Sequence, residues 1–128
     1  MLLLVVLAVA AVAAASGHSH HPVFTGGLLG VSARVKLLED YGVAAIELRR
    51  VPPLFTTLRG TASLGRNKGG DFELSADLQV ALARRGVSIL GINQHPNGCK
   101  FSKCDFVSVT ISLPAHLGAH CIELKREE

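Results

Sequence analysis

The stretch Gly86–Cys104, GVSILGINQHPNGCKFSKC, constrains the fold more than any other part of this 128-residue chain. A β-branched run in which Val87 and Ile89 alternate with polar or small residues leads through Pro96-Asn97-Gly98 to Cys99 and Cys104. A second apolar segment, Val107–Leu113, follows at once, and Cys121 comes late. Alternation of period two on both sides of a turn reads as strand, turn, small cysteine loop and strand.

The compartment decides how those cysteines are read. Met1 is followed by an uncharged apolar run from Leu2 to Ala15, too short for the ~20 residues that span a bilayer core. Ala13 and Ala15 occupy the small-residue positions that signal peptidase reads. Residues 1–17 are therefore expected to be a signal peptide, 18–30 a flexible His- and Gly-containing segment, and 31–128 one secreted domain, extracellular or in an endosomal or lysosomal lumen. In an oxidising compartment Cys99 and Cys104 can close a six-residue disulfide loop, which leaves Cys121 over. A zinc site is the rival, but no second Cys or Cys/His pair stands at finger spacing.

Net charge is +3, with basic pairs at Arg49-Arg50 and Arg84-Arg85. Such residues could steer the protein toward anionic headgroups or simply solvate strand ends. One Tyr, no Trp and no RNA-binding motif argue against a nucleic-acid partner. Turn signals separate further strand candidates at Ser32–Leu38, Val43–Val51 and Leu54–Leu64. Gly65–Gly70 lacks the Lys and Ser/Thr of a phosphate loop. Ser75–Gly86 divides the evidence: propensity favours a helix capped by Ser75 and ended by Gly86, whereas Leu78, Val80 and Leu82 also alternate as in a half-buried strand.

The order of these segments resembles the ML (lipid-recognition) domain family. The match runs from about Leu37 to the end: Asp40-Tyr41-Gly42, the Pro52-Pro53 loop before Arg59-Gly60, Pro96-Asn97 before the cystine, and Phe101 between its cysteines. The resemblance implies an all-β, immunoglobulin-like sandwich of two antiparallel sheets, and makes Asp77–Ala83 a strand. Tyr41 stands where the family has the partner of Cys121, so two of its usual three disulfides are absent. About one strand is also missing between Phe106 and Val107, which predicts an unpaired edge beside the terminal strand.

The function so implied is the carriage of a sterol, fatty acid or similar lipid in an apolar slot between the sheets. Its lining would be Leu78, Val80, Leu82, Val87, Ile89, Phe101, Phe106, Val109, Ile111 and Leu113, each of which an ordinary core would explain as well. The partners would be that lipid and a receiving or signalling membrane protein. Two alternatives stand beside it: recognition of a bacterial glycolipid with receptor docking, and a filled β-sandwich that binds no lipid. Neither a cofactor nor a metal is required, although His18 or His20 at the third position of a new N-terminus could bind Cu(II) or Ni(II). No nucleophile elbow, zinc helix or paired-carboxylate motif is present, so no enzyme is expected.

Overall fold

The computed structural model describes residues 21–39, 42–65, 71–95, 99–100 and 103–127. Its strands are β1 (Val23–Leu28), β2 (Val31–Glu39), β3 (Val43–Val51), β4 (Thr56–Leu64), β5 (Phe72–Leu74), β6 (Ser88–His95), β7 (Phe106–Leu113) and β8 (Gly118–Arg126). Between β5 and β6 lies one helix, α1 (Ala76–Arg84). All eight strands belong to one antiparallel sheet in the order β5-β4-β3-β2-β1-β8-β7-β6, curled into a nearly closed barrel.

The curl follows from chain length. The two edges of the sheet, β5 and β6, are consecutive in sequence, joined only by residues 75–87. Laid flat, eight strands would separate those edges by ~34 Å at ~4.8 Å per spacing. The helix rises only ~12 Å from its first to its last residue, and residues 85–87 fold back on its end through bonds to the Leu82 and Ala83 carbonyls instead of extending, so the link falls short of a flat sheet's width. Gly60 makes room for the helix on the concave side: a Cβ there would stand 2.4 Å from the Leu78 Cβ. Leu78 and Leu82, one turn apart on α1, are both buried, while Val80 between them faces solvent.

Inward positions alternate along β2, β3 and β7. Val31, Ala33, Val35 and Leu37 of β2, Ala44, Ile46 and Leu48 of β3, and Val107, Val109, Ile111 and Leu113 of β7 join Phe24, Ile122 and Leu124 in one core. A disulfide joins Cys99 to Cys104, whose Cα atoms are 5.5 Å apart, and Cys121 is free and exposed.

Several expectations are corrected. The two-sheet sandwich is replaced by a single sheet, so there is no inter-sheet slot for a lipid. Residues 77–83 are helical, as local propensity favours, and not the strand that the ML resemblance implied. No strand is missing at Phe106–Val107, a junction inside β7 whose residues pair with β6 on one side and β8 on the other. The terminal strand is not the edge of the sheet: β1 lies beside it and pairs with its end through Phe24↔Arg126 and Thr25↔Lys125. That strand comes from residues 18–30, which the sequence reading set apart from the domain.

Candidate docking surface

Strand directions place the β1–β2, β3–β4 and β7–β8 connections at one end of the barrel, together with the C-terminal end of α1. The β1–β2 hairpin turns on two residues, Leu29 and Gly30, between the paired Leu28 and Val31. Both have positive φ, +54° and +82°, the requirement of a type I′ turn, which favours Asn-Gly. The β3–β4 turn runs through a cis Pro52–Pro53 peptide to Leu54 and Phe55, and Phe55 has φ +55°. Arg50, at φ +59°, sits in a register shift of β3 and donates from Nε to the Gly30 carbonyl at 2.9 Å, tying the two turns together. Arg85, just past α1, donates from Nε to the Thr56 hydroxyl at 3.1 Å, so the helix end joins the same surface.

This end displays large apolar side chains to solvent. Leu28 is 41%, Leu29 61%, Leu54 71% and Phe55 70% exposed. Among the described residues, Leu29, Arg50 and Phe55 are the non-glycine residues with positive φ, and all three lie here. For Leu and Phe the left-handed conformation is unfavourable by itself, and exposure to water adds nothing to compensate. Local cost gathered at one exposed place makes this end the candidate docking surface.

Its charge is one-sided. No described carboxylate pairs with Arg50, Arg84 or Arg85. Glu47, further down β3, is occupied by Arg59 at 2.8 Å and Arg49 at 2.5 Å, and these hydrogen bonds hold its carboxyl below the usual carboxylate range.

Two hollows lie elsewhere on the barrel. A cleft of about 410 Å³ lies along the barrel seam between β5 and β6, walled by Phe72, Leu74, Val87 and Ile89, with Leu82 at its base and Glu73 at its rim. A polar groove of about 270 Å³ crosses the outside of β1–β3 over the Glu47–Arg49 pair. Neither brings together groups that would do chemistry. No cluster of His, Cys, Asp and Glu suited to a metal occurs among the described residues. His18 and His20 lie outside those residues, and His21 donates from Nδ1 to the Leu37 carbonyl at 2.9 Å.

Of the residues expected to line a lipid slot, Leu78, Leu82, Val87, Ile89, Val109, Ile111 and Leu113 are brought together as buried parts of the core. Val80 is half-exposed on α1, Phe106 is on the outer face of β7, and Phe101 lies outside the described residues. The residues that the sequence reading missed are Leu28, Leu29, Leu54 and Phe55. Their signal was present: Leu-Leu-Gly and Pro-Pro-Leu-Phe put apolar side chains where turn chemistry places polar ones. No protein-family model, curated protein or solved structure matches this chain. Together with the single-sheet barrel, that withdraws the resemblance to the ML family.

Proposed function

We propose that this chain is a secreted, non-catalytic module that attaches to a bilayer surface through the loop end of its barrel. No ligand is carried inside; contact is made from outside, by side chains on two adjoining turns. The observation that supports this reading is the exposure of Leu28, Leu29, Leu54 and Phe55 at one end, two of them on left-handed backbone.

Size favours a bilayer over a protein partner. Four side chains on two turns expose a few hundred Å² at most, short of the ~800 Å² that each partner gives to a stable protein interface. A bilayer sets no such threshold, because each side chain gains independently as it enters the acyl boundary. Full burial of a Leu or Phe is worth about 1.5–3 kcal/mol, so completing the burial of Leu54 and Phe55 yields roughly 3 kcal/mol.

Cosedimentation of the secreted protein with phospholipid vesicles tests this. The wild type should pellet with them, and the double variant Leu54→Ser/Phe55→Ser should partition roughly 100-fold more weakly, from that ~3 kcal/mol. A wild type that stays in the supernatant, or a variant that pellets equally well, would refute the reading.

A further inference from the structure

We infer that the loop end selects anionic headgroups, with Arg50, Arg84 and Arg85 as the groups that receive their phosphates. This rests on the attachment reading above and names the kind of bilayer it would meet.

Two observations carry it. The first is how the guanidinium groups are held. Arg50 and Arg85 each use Nε for an internal hydrogen bond, to the Gly30 carbonyl and the Thr56 hydroxyl. Among the described residues nothing else takes their remaining N–H donors, and Arg84 beside them has no partner. A planar guanidinium fixed by one edge presents its other donors as a ready fork for a phosphate. The second is the placing of the carboxylates. Among the described side chains, Asp71, Asp105 and Glu127 lie at the opposite end, next to the starts of β5 and β7 and the end of β8. Glu73 and Glu123 lie within strands, and Asp77 is in the first turn of α1, away from its C-terminus. The loop end thus joins exposed apolar side chains to arginines with no described carboxylate between them. The negative end of the α1 dipole, about half a charge, is outweighed by Arg84 and Arg85.

The opposite end also carries Lys100, Lys103, Lys125 and Arg126 beside its carboxylates, so what sets the loop end apart is that arginines without a described carboxylate adjoin exposed apolar turns, and both can meet an anionic surface together. Each arginine close to such a surface strengthens partition about fivefold, so three give about 100-fold at low salt.

Vesicles of phosphatidylcholine alone, and of phosphatidylcholine with phosphatidylserine, test the selectivity. Wild type should bind the mixed vesicles about 100-fold more tightly at low salt, and that margin should shrink as salt rises. Arg84→Gln/Arg85→Gln should lose roughly 25-fold on mixed vesicles and far less on phosphatidylcholine, whose phosphate is neutralised by its own choline. Because Arg85 also bonds Thr56, Arg84→Gln alone, which breaks no described contact, serves as the second variant and should lose about fivefold. Equal binding to both vesicle types would overturn the selectivity while leaving attachment intact. Binding to neither would overturn attachment itself. Retention of Leu54→Ser/Phe55→Ser on the mixed vesicles at wild-type strength would also overturn the proposal, since a purely electrostatic surface would then account for it. So would arginine variants that match the wild type on both.

Discussion

Leu29→Asn should make the protein more stable while weakening its attachment. Leu29 is the first of the two residues of the β1–β2 turn, at φ +54°. The left-handed region costs a side chain such as Leu about 1–2 kcal/mol, and Asn tolerates it through its short polar group. Against that gain stands the burial forfeited. Leu29 is 61% exposed, so removing it gives up about two-fifths of ~2 kcal/mol, or ~0.8 kcal/mol. The net is a gain of about 0.2–1.2 kcal/mol, a rise in Tm of roughly 1–8 °C for a domain of this size. Leu28→Asn is the control. Leu28 lies next door, is less exposed at 41%, has ordinary strand backbone and pairs with Val31, so the same replacement should lower Tm. Thermal unfolding followed by circular dichroism, with the disulfide intact, should order the three proteins Leu29→Asn, wild type, Leu28→Asn from high to low. Both variants should bind vesicles less than wild type. If Leu29→Asn lowers Tm as much as Leu28→Asn does, the turn carries no conformational cost and the argument that the surface is kept at local expense fails.

Gly60→Ala should destabilise by about 1–3 kcal/mol in a urea titration, because the new Cβ meets the Leu78 Cβ at 2.4 Å and α1 must shift. A neutral outcome would place the helix further from β4 than described. Removing the cystine with Cys99→Ser/Cys104→Ser should cost about 2 kcal/mol, the loop-closure value for six residues, read as a fall in urea midpoint. Glu47→Gln should cost under about 1 kcal/mol, since its partners Arg49 and Arg59 are 58% and 69% exposed. Its pH dependence has a definite sign. The Glu47 pKa is lowered in the folded state, mainly by the Arg59 hydrogen bond and then by that of Arg49. The difference between wild type and Glu47→Gln should therefore be complete above the ordinary carboxylate range and fade as pH falls through the lowered value. A difference that grows in acid would contradict it.

How much of this was legible in the sequence varies by element. Val43–Val51 and Val107–Leu113 alternate so regularly that their strands fall almost where the pattern puts them. The Cys99–Cys104 loop is local and could be read from spacing alone. Segment 75–86 was ambiguous because Leu78, Val80 and Leu82 satisfy a strand of period two, while Leu78 and Leu82 also satisfy one helical turn. Propensity pointed to helix, and a remote resemblance overruled it. β1 was lost for another reason: Val23–Leu28 contains two glycines, and Gly26 packs where a Cβ would strike the Glu123 carbonyl. Close backbone approach looks, in sequence, like a flexible linker. The loop end is hard to see in sequence because turn chemistry shows what a turn connects more plainly than what it exposes.

Segment 77–83 and β1 together decide the architecture. With 77–83 as a strand and 18–30 outside the domain, the chain divides into separate groups of strands with apolar faces, and such faces are buried by stacking one sheet on another. With 77–83 as a helix, the link from β5 to β6 is too short to leave the sheet open, and β1 supplies the partner that joins β2 to β8. One sheet then curls around Leu78 and Leu82, and its inward residues cover one another. A functional reading has to move with that result. Apolar side chains between two sheets would imply a ligand held inside, whereas a core filled from every strand and from α1 leaves only those side chains that face out. Of these, Leu28, Leu29, Leu54 and Phe55 are gathered at one end, and Arg50 links their two turns through the Gly30 carbonyl. The Arg50 bond ties the two turns, so the four side chains are presented together and less ordering is lost when they meet a surface.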